Sequence, residues 1–142
     1  MKPIGLAARD TLRIEMGYCL YGNDINDNTS PIEAGLSWIT KPETECIGYE
    51  IFENQINNGV KKKLVGFKLK NRGIPRAGYK IYDSSHKKIG ITTSGTFSPI
   101  LKKGIGLGYI NIELLDVNND IYIKIRDEFI ESEIVKPPFI EI

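Results

Sequence analysis

From Lys61 to the end of the chain, apolar residues recur at close to every second position, with no stretch of helical period between them. This pattern constrains the fold more than any other feature, because alternate side chains share a face only in a strand. Six segments carry it: "KLVGFKL", "GYKIYD", "KIGITTS", "IGLGYI", "DIYIKIRD" and "FIESEIVK". In the fifth, Ile121, Ile123 and Ile125 alternate with Tyr122, Lys124 and Arg126, the mark of a half-buried strand. Turn-rich strings ("NRGIPRAG", "DSSHKK", "VNND") separate the segments. Short antiparallel strands without intervening helices predict a small barrel or a jelly-roll-like sandwich.

The first 60 residues read differently. A helix is expected over about 7–16, ending at Gly17, a usual residue just past a helix end. Leu12 and Met16 stack at i,i+4 on its inner side, while Arg9 and Arg13 share another face. A second helix is expected over about 47–58, with Ile47, Ile51 and Ile56 at near-helical spacing and a stop at Asn58-Gly59. Between them "EAGLSWIT" reads as a short strand carrying the single tryptophan, Trp38. The fold class is therefore α+β and mainly β: a partial α/β segment over 1–60, then a six-stranded antiparallel barrel or jelly-roll-like domain over 61–142.

Charge narrows the function classes. Lys and Arg number 19 against 18 Asp and Glu, so no net field draws the chain to polyanions or anionic membranes. Lys61, Lys62 and Lys63 lead straight into an apolar strand pattern and read as its solvated start. Neither nucleic acid nor membrane is an expected partner. No apolar run approaches the ~18 residues of a membrane span, and no signal-peptide core is evident. Cys19 and Cys46 form neither a C-x-x-C pair nor a disulfide framework. A cytoplasmic setting, or the mitochondrial matrix in a eukaryote, is expected.

Several suggestive strings fail. "GIGLG" at 104–108 runs into strand-like "YINIE" instead of opening a helix, so barrel geometry explains it better than a dinucleotide site. "DINDNTS" starts like a calcium loop from Asp24, but Thr29 stands at the sixth position and Gly35 at the twelfth. The single histidine, His86, lies in a turn without partners for a catalytic triad or a metal. No metal site and no self-contained catalytic site are expected.

Six ordered strings do carry a resemblance: "GLAARDTLRIEMGYCLYGNDI", "TSPIEAGLSWI", "KKLVGFKL", "RGIPRAGYKIYD", "IGITTSGTFSPILKKGIGLGY" and "IVKPPF". Across nearly its whole length the chain resembles the C-terminal part of the T-protein of the glycine cleavage system, an aminomethyltransferase. The resemblance implies three domains around a tetrahydrofolate cavity. It implies that a lipoylated carrier, the H-protein, delivers an aminomethyl group, that tetrahydrofolate takes the methylene unit, and that ammonia leaves. The acidic residues nearest the chemistry and the pterin belong to the family's N-terminal half. Residues 1–60 are then the end of the folate-binding core domains, 61–142 are the barrel domain, and the missing N-terminal half becomes a partner. No catalytic residue is expected in this chain, which alone is expected to be inactive.

Arg9 falls on the arginine of the family's "A-R-D" helix, which contacts folate. The residues support that role independently. Like charges at i,i+4 repel by a few tenths of a kcal/mol unless an anion lies nearby, and a guanidinium pairs bidentately with carboxylates such as those of the folate tail. The competing role is an internal ion pair with Asp10 or Glu15, which is the better account of Arg13. Arg13 and Trp38 are thus the weaker folate candidates, a lone tryptophan such as Trp38 being more often a core residue. Two departures from the family pattern stand out: Ser37 replaces a usual glycine, and the chain ends at Ile142, short of a further folate contact.

Two other functions fit the same residues: the folate-binding tail of a dimethylglycine or sarcosine dehydrogenase, and a stand-alone, non-catalytic binding or assembly module. "CLYGNDI" and "KKLVGFKL" favour the T-protein. Leu6, Leu12, Met16 and Trp38 are expected to pack on the missing half, so the chain alone is expected to self-associate through them or to leave its first 60 residues partly disordered.

Overall fold

The computed structural model describes residues 2–114 and 120–141. Among them a helix α1 (Leu6–Glu15) is followed by two single 3-10 turns, Ser37–Ile39 and Pro42–Thr44, and a helix α2 (Tyr49–Asn58). Six strands follow: β1 (Lys62–Leu69), β2 (Lys80–Tyr82), β3 (Lys88–Ser98), β4 (Lys103–Asn111), β5 (Asp120–Ile125) and β6 (Glu128–Val135). They close into an antiparallel barrel in the order β1-β4-β3-β2-β5-β6. Each of the six strands expected after Lys61 is present. Most of the "VNND" turn lies outside the described residues.

The alternation read from the sequence fills the barrel. Phe67 and Leu69 of β1, Ile81 of β2, Ile89 of β3, Ile110 of β4, Ile121 and Ile123 of β5 and Ile130 of β6 form one buried cluster. Full burial of such side chains is the main stabilising term, about 1.5–3 kcal/mol each. The glycines of "GIGLG" belong to this packing. A Cβ on Gly106 would lie 2.6 Å from the Phe67 ring and 2.7 Å from the Ser94 carbonyl oxygen, so only glycine lets β4 approach that closely.

The N-terminal segment departs from expectation in three places. First, the inner face of α1 is largely polar, with Ile14 its one fully buried apolar side chain. Leu12 is 61% exposed, whereas Arg13, Ile14 and Glu15 are buried. The reason is the surface it meets: α1 docks on the outer wall of β3, lined by hydroxyls, because the apolar core is closed inside the barrel. Thr11 Oγ1 lies 3.1 Å from Thr96 Oγ1, Arg13 Nη2 donates to Ser94 Oγ at 3.0 Å, and Ser98 Oγ donates to Glu15 Oε1 at 2.5 Å. Gly17 then turns the chain at φ 72, where Pro137 fills the space a Cβ would need.

Second, "EAGLSWIT" is not a strand. Ala34, Gly35 and Leu36 donate backbone bonds back to Ser30, Ile32 and Pro31, and Gly35 sits at φ 74, so the chain coils on itself. Trp38 is 75% exposed on the resulting 3-10 turn and is not a core residue. Third, α2 begins after Ile47, because Gly48 in the left-handed conformation starts it, and Ile47 is left fully exposed. No residue of α2 is buried.

Candidate functional site

A buried polar network forms where α1, the following loop and strand β3 meet. Arg13 is the hub. Its Nε donates to Asp10 Oδ1 at 2.7 Å, Nη1 donates to Asp24 Oδ2 at 2.8 Å and to the Tyr18 carbonyl at 3.1 Å, and Nη2 reaches Ser94. Every edge of the guanidinium is used. Charge-assisted bonds of this kind are about twice as strong as neutral ones.

Asp24 closes the network from the other side. Its carboxylate is fully buried and accepts from Arg13, from the Leu20 backbone N–H at 2.9 Å and from Thr93 Oγ1 at 2.5 Å. Its carbonyl accepts from the Tyr109 hydroxyl of β4 at 2.9 Å. Burial pushes the Tyr109 hydroxyl well above its ordinary pKa, and burial beside Asp24 raises the Cys19 thiol, with Arg13 opposing. Both are held neutral next to the ion pair.

A bulge makes this meeting possible. The β3–β4 register slips between Thr92 and Ser94, so that Thr92 faces Gly108 and Ser94 faces Leu107. Thr93 is the extra residue. Consecutive strand residues normally point to opposite faces, but at the bulge Thr93 and Ser94 both turn to the Arg13–Asp24 pair.

Arg9, one helical turn before Arg13, is exposed. Among the described residues its side chain makes no hydrogen bond and no ion pair, and Asp10, its neighbour in sequence, is occupied by Arg13. The two arginines that share a face in sequence therefore have opposite fates. Arg13 is internally paired, as the competing role anticipated, though with Asp10 and Asp24 in place of Glu15. Trp38 stands exposed on a separate element. His86 is in a surface turn at φ 60, stacked on Phe129 at 4.2 Å, and no group of three His, Cys, Asp or Glu that could hold a metal occurs among the described residues.

Sequence reasoning missed Asp24, Thr93, Ser94 and Tyr109. Asp24 had been weighed only as the start of a calcium loop. The usable signal was electrostatic: Arg13 needed a buried counter-charge, and the acidic loop following α1 was the nearest source.

The chain is similar to known proteins in sequence and in fold. Residues 62–141 match the family described as the glycine cleavage T-protein C-terminal barrel domain, and residues 1–44 match the family described as the GCVT N-terminal domain. The aminomethyltransferase of Flavobacterium psychrophilum is 54% identical over 98% of this chain, and that of Halothermothrix orenii is 51% identical over 97%. The chain spans 39% of the length of each. The crystal structure of glycine cleavage system aminomethyltransferase T from Bartonella henselae superposes with a TM-score of 0.86 at 34% identity, covering 96% of this chain and 39% of that one. With the barrel closed by the same strands that the family match spans, the chain belongs to the glycine cleavage T-protein family.

Proposed function

We propose that this chain serves as the C-terminal portion of a tetrahydrofolate-dependent aminomethyltransferase. The methylene unit passes from the aminomethyl-lipoyl arm of the H-protein to tetrahydrofolate, and ammonia is released. One observation carries the reading: Arg9 is exposed and, among the described residues, makes no hydrogen bond or ion pair, one turn from an arginine that is fully paired. An unpaired guanidinium on a rigid helix is suited to take a carboxylate of the folate tail in a bidentate fork.

In this reading the residues of the chain do positioning work. The Arg13–Asp24 pair fixes α1 on the barrel, and α1 presents Arg9 to the folate. Catalysis of this kind depends on holding the folate nitrogen against the aminomethyl carbon beside an acidic group. No residue of this chain is assigned to that acidic role.

The test is a chimera in which residues 1–142 replace the matching C-terminal portion of the Flavobacterium psychrophilum enzyme. Arg9→Ala should weaken tetrahydrofolate binding by about 1–3 kcal/mol, the scale of a charge-assisted hydrogen bond. Arg9→Lys should restore only part of it, because the fork is lost. Equal folate affinity in all three chimeras would refute the role of Arg9.

A further inference from the structure

The β1–β2 loop and the β3–β4 hairpin enclose a depression of about 200 Å³. Its side-chain walls are Lys70, Arg72, Phe97, Lys102 and Lys103, with Asn71, Gly73 and Gly104 completing it and no acidic residue in the lining. The two loops are locked side by side. A Cβ on Gly104 would fall 2.5 Å from the Gly73 carbonyl oxygen, so the cations are carried on closely packed backbone.

Nearby carboxylates offset only part of this charge. Lys70 pairs with Glu131 and with Asp120 at 3.5 Å, and Lys68 pairs with Glu133 at 2.7 Å. Arg72, Lys102 and Lys103 make no salt bridge among the described residues, and Lys103 reaches Glu133 only through its longer-range field. The four lining cations, Lys70, Arg72, Lys102 and Lys103, thus stand against Glu131 and Asp120, an excess of two positive charges, since Glu133 is paired by Lys68. Lys102 also adopts φ 54, a left-handed conformation that glycine takes freely and lysine does not. Phe97, 43% exposed, supplies an apolar wall that lowers the local dielectric and strengthens any charge contact made there.

We propose that this depression binds a small phosphate dianion, either inorganic phosphate or a phosphomonoester. Arg72 provides a planar fork for two oxygens, while Lys102 and Lys103 act as point charges on the third. The excess of two positive charges matches the ligand. The site is independent of Arg9 and of the proposed folate role.

The test is a titration of the full chain, residues 1–142, followed by amide NMR shifts. Sodium phosphate should move resonances confined to 70–73 and 97–104, saturating in the low millimolar range. Lys102→Gly removes the cation and relieves the left-handed backbone, so it should fold at least as well while binding at least tenfold more weakly. Arg72→Gln should show the same loss, and Lys61→Gln should bind like the parent. Phenyl phosphate binding more tightly than phosphate assigns the site to a phosphomonoester, and equal or weaker binding assigns it to the free ion. Three outcomes would overturn the proposal: equal shifts with sodium chloride at matched ionic strength, succinate binding as tightly as phosphate, or unchanged affinity in Lys102→Gly.

Discussion

Arg13 Nη1 lies 2.8 Å from Asp24 Oδ2, and both side chains are buried. This pair joins α1 to the loop that follows it, and through Ser94 and Thr93 it joins both to the barrel. Removing one partner of a buried ion pair leaves the other uncompensated. Asp24→Ala should therefore destabilise the chain by about 3–5 kcal/mol. Asp24→Asn, which keeps the shape and an acceptor for Leu20, should cost less. Urea unfolding of the three proteins measures both. A loss below about 1 kcal/mol for Asp24→Ala would show that the pair does not anchor α1.

Tyr109 predicts an alkaline limit. Its folded-state pKa is raised, first by burial, from an ordinary 10.0. A group raised in this way contributes stability that is complete below its unfolded pKa and is lost as pH climbs from there towards the folded value. Unfolding free energy should fall above pH about 10, and Tyr109→Phe should flatten that fall. At neutral pH the same change should cost about 0.5–1.5 kcal/mol for the bond to the Asp24 carbonyl. Identical slopes above pH 10 in both proteins would contradict this.

Gly106 tests the close approach of β4 to the core. In Gly106→Ala the new methyl meets both the Phe67 ring and the Ser94 carbonyl oxygen within 3 Å. Overpacking of this kind costs about 1–3 kcal/mol. Thermal unfolding reads it directly, and an unchanged midpoint would mean that the strand has slack the geometry denies.

The chain on its own should show no aminomethyl transfer. Leu6, Leu12 and Trp38 are 76%, 61% and 75% exposed, and Ile47 and Ile51 are exposed as well. Surfaces of this kind favour association, so residues 1–142 should dimerise through the N-terminal segment or exchange amide hydrogens quickly over 37–58. Exchange in α1 should follow the barrel, since Arg13 and Glu15 tie it down. A strict monomer with 37–58 as protected as β3 would overturn the prediction and favour a stand-alone module.

Legibility tracked the range of the interaction. The six strands were readable because a period of two is written in neighbouring residues, and the end of α1 was readable because Gly17 sits where a left-handed turn is needed. "EAGLSWIT" misled because its apolar residues resemble a strand, while the backbone bonds of residues 34–36 run locally to Ser30, Pro31 and Ile32. The inner face of α1 misled for the opposite reason. Leu12 and Met16 look like a buried stripe by sequence alone, and only the hydroxyl-lined wall of β3 makes Arg13 and Glu15 the buried pair.

The sequence by itself determined the barrel, the helix at its start and the presence of two arginines on one helical face, because each depends on residues a few positions apart. It could not say which distant residues would hold Arg13. That was decided by Ser94, 81 residues from Arg13, and by a bulge that turns Thr93 and Ser94 to the same side. A buried charge is stable only where the fold gathers enough partners around it, and those partners came together only when the barrel closed and α1 docked on its wall.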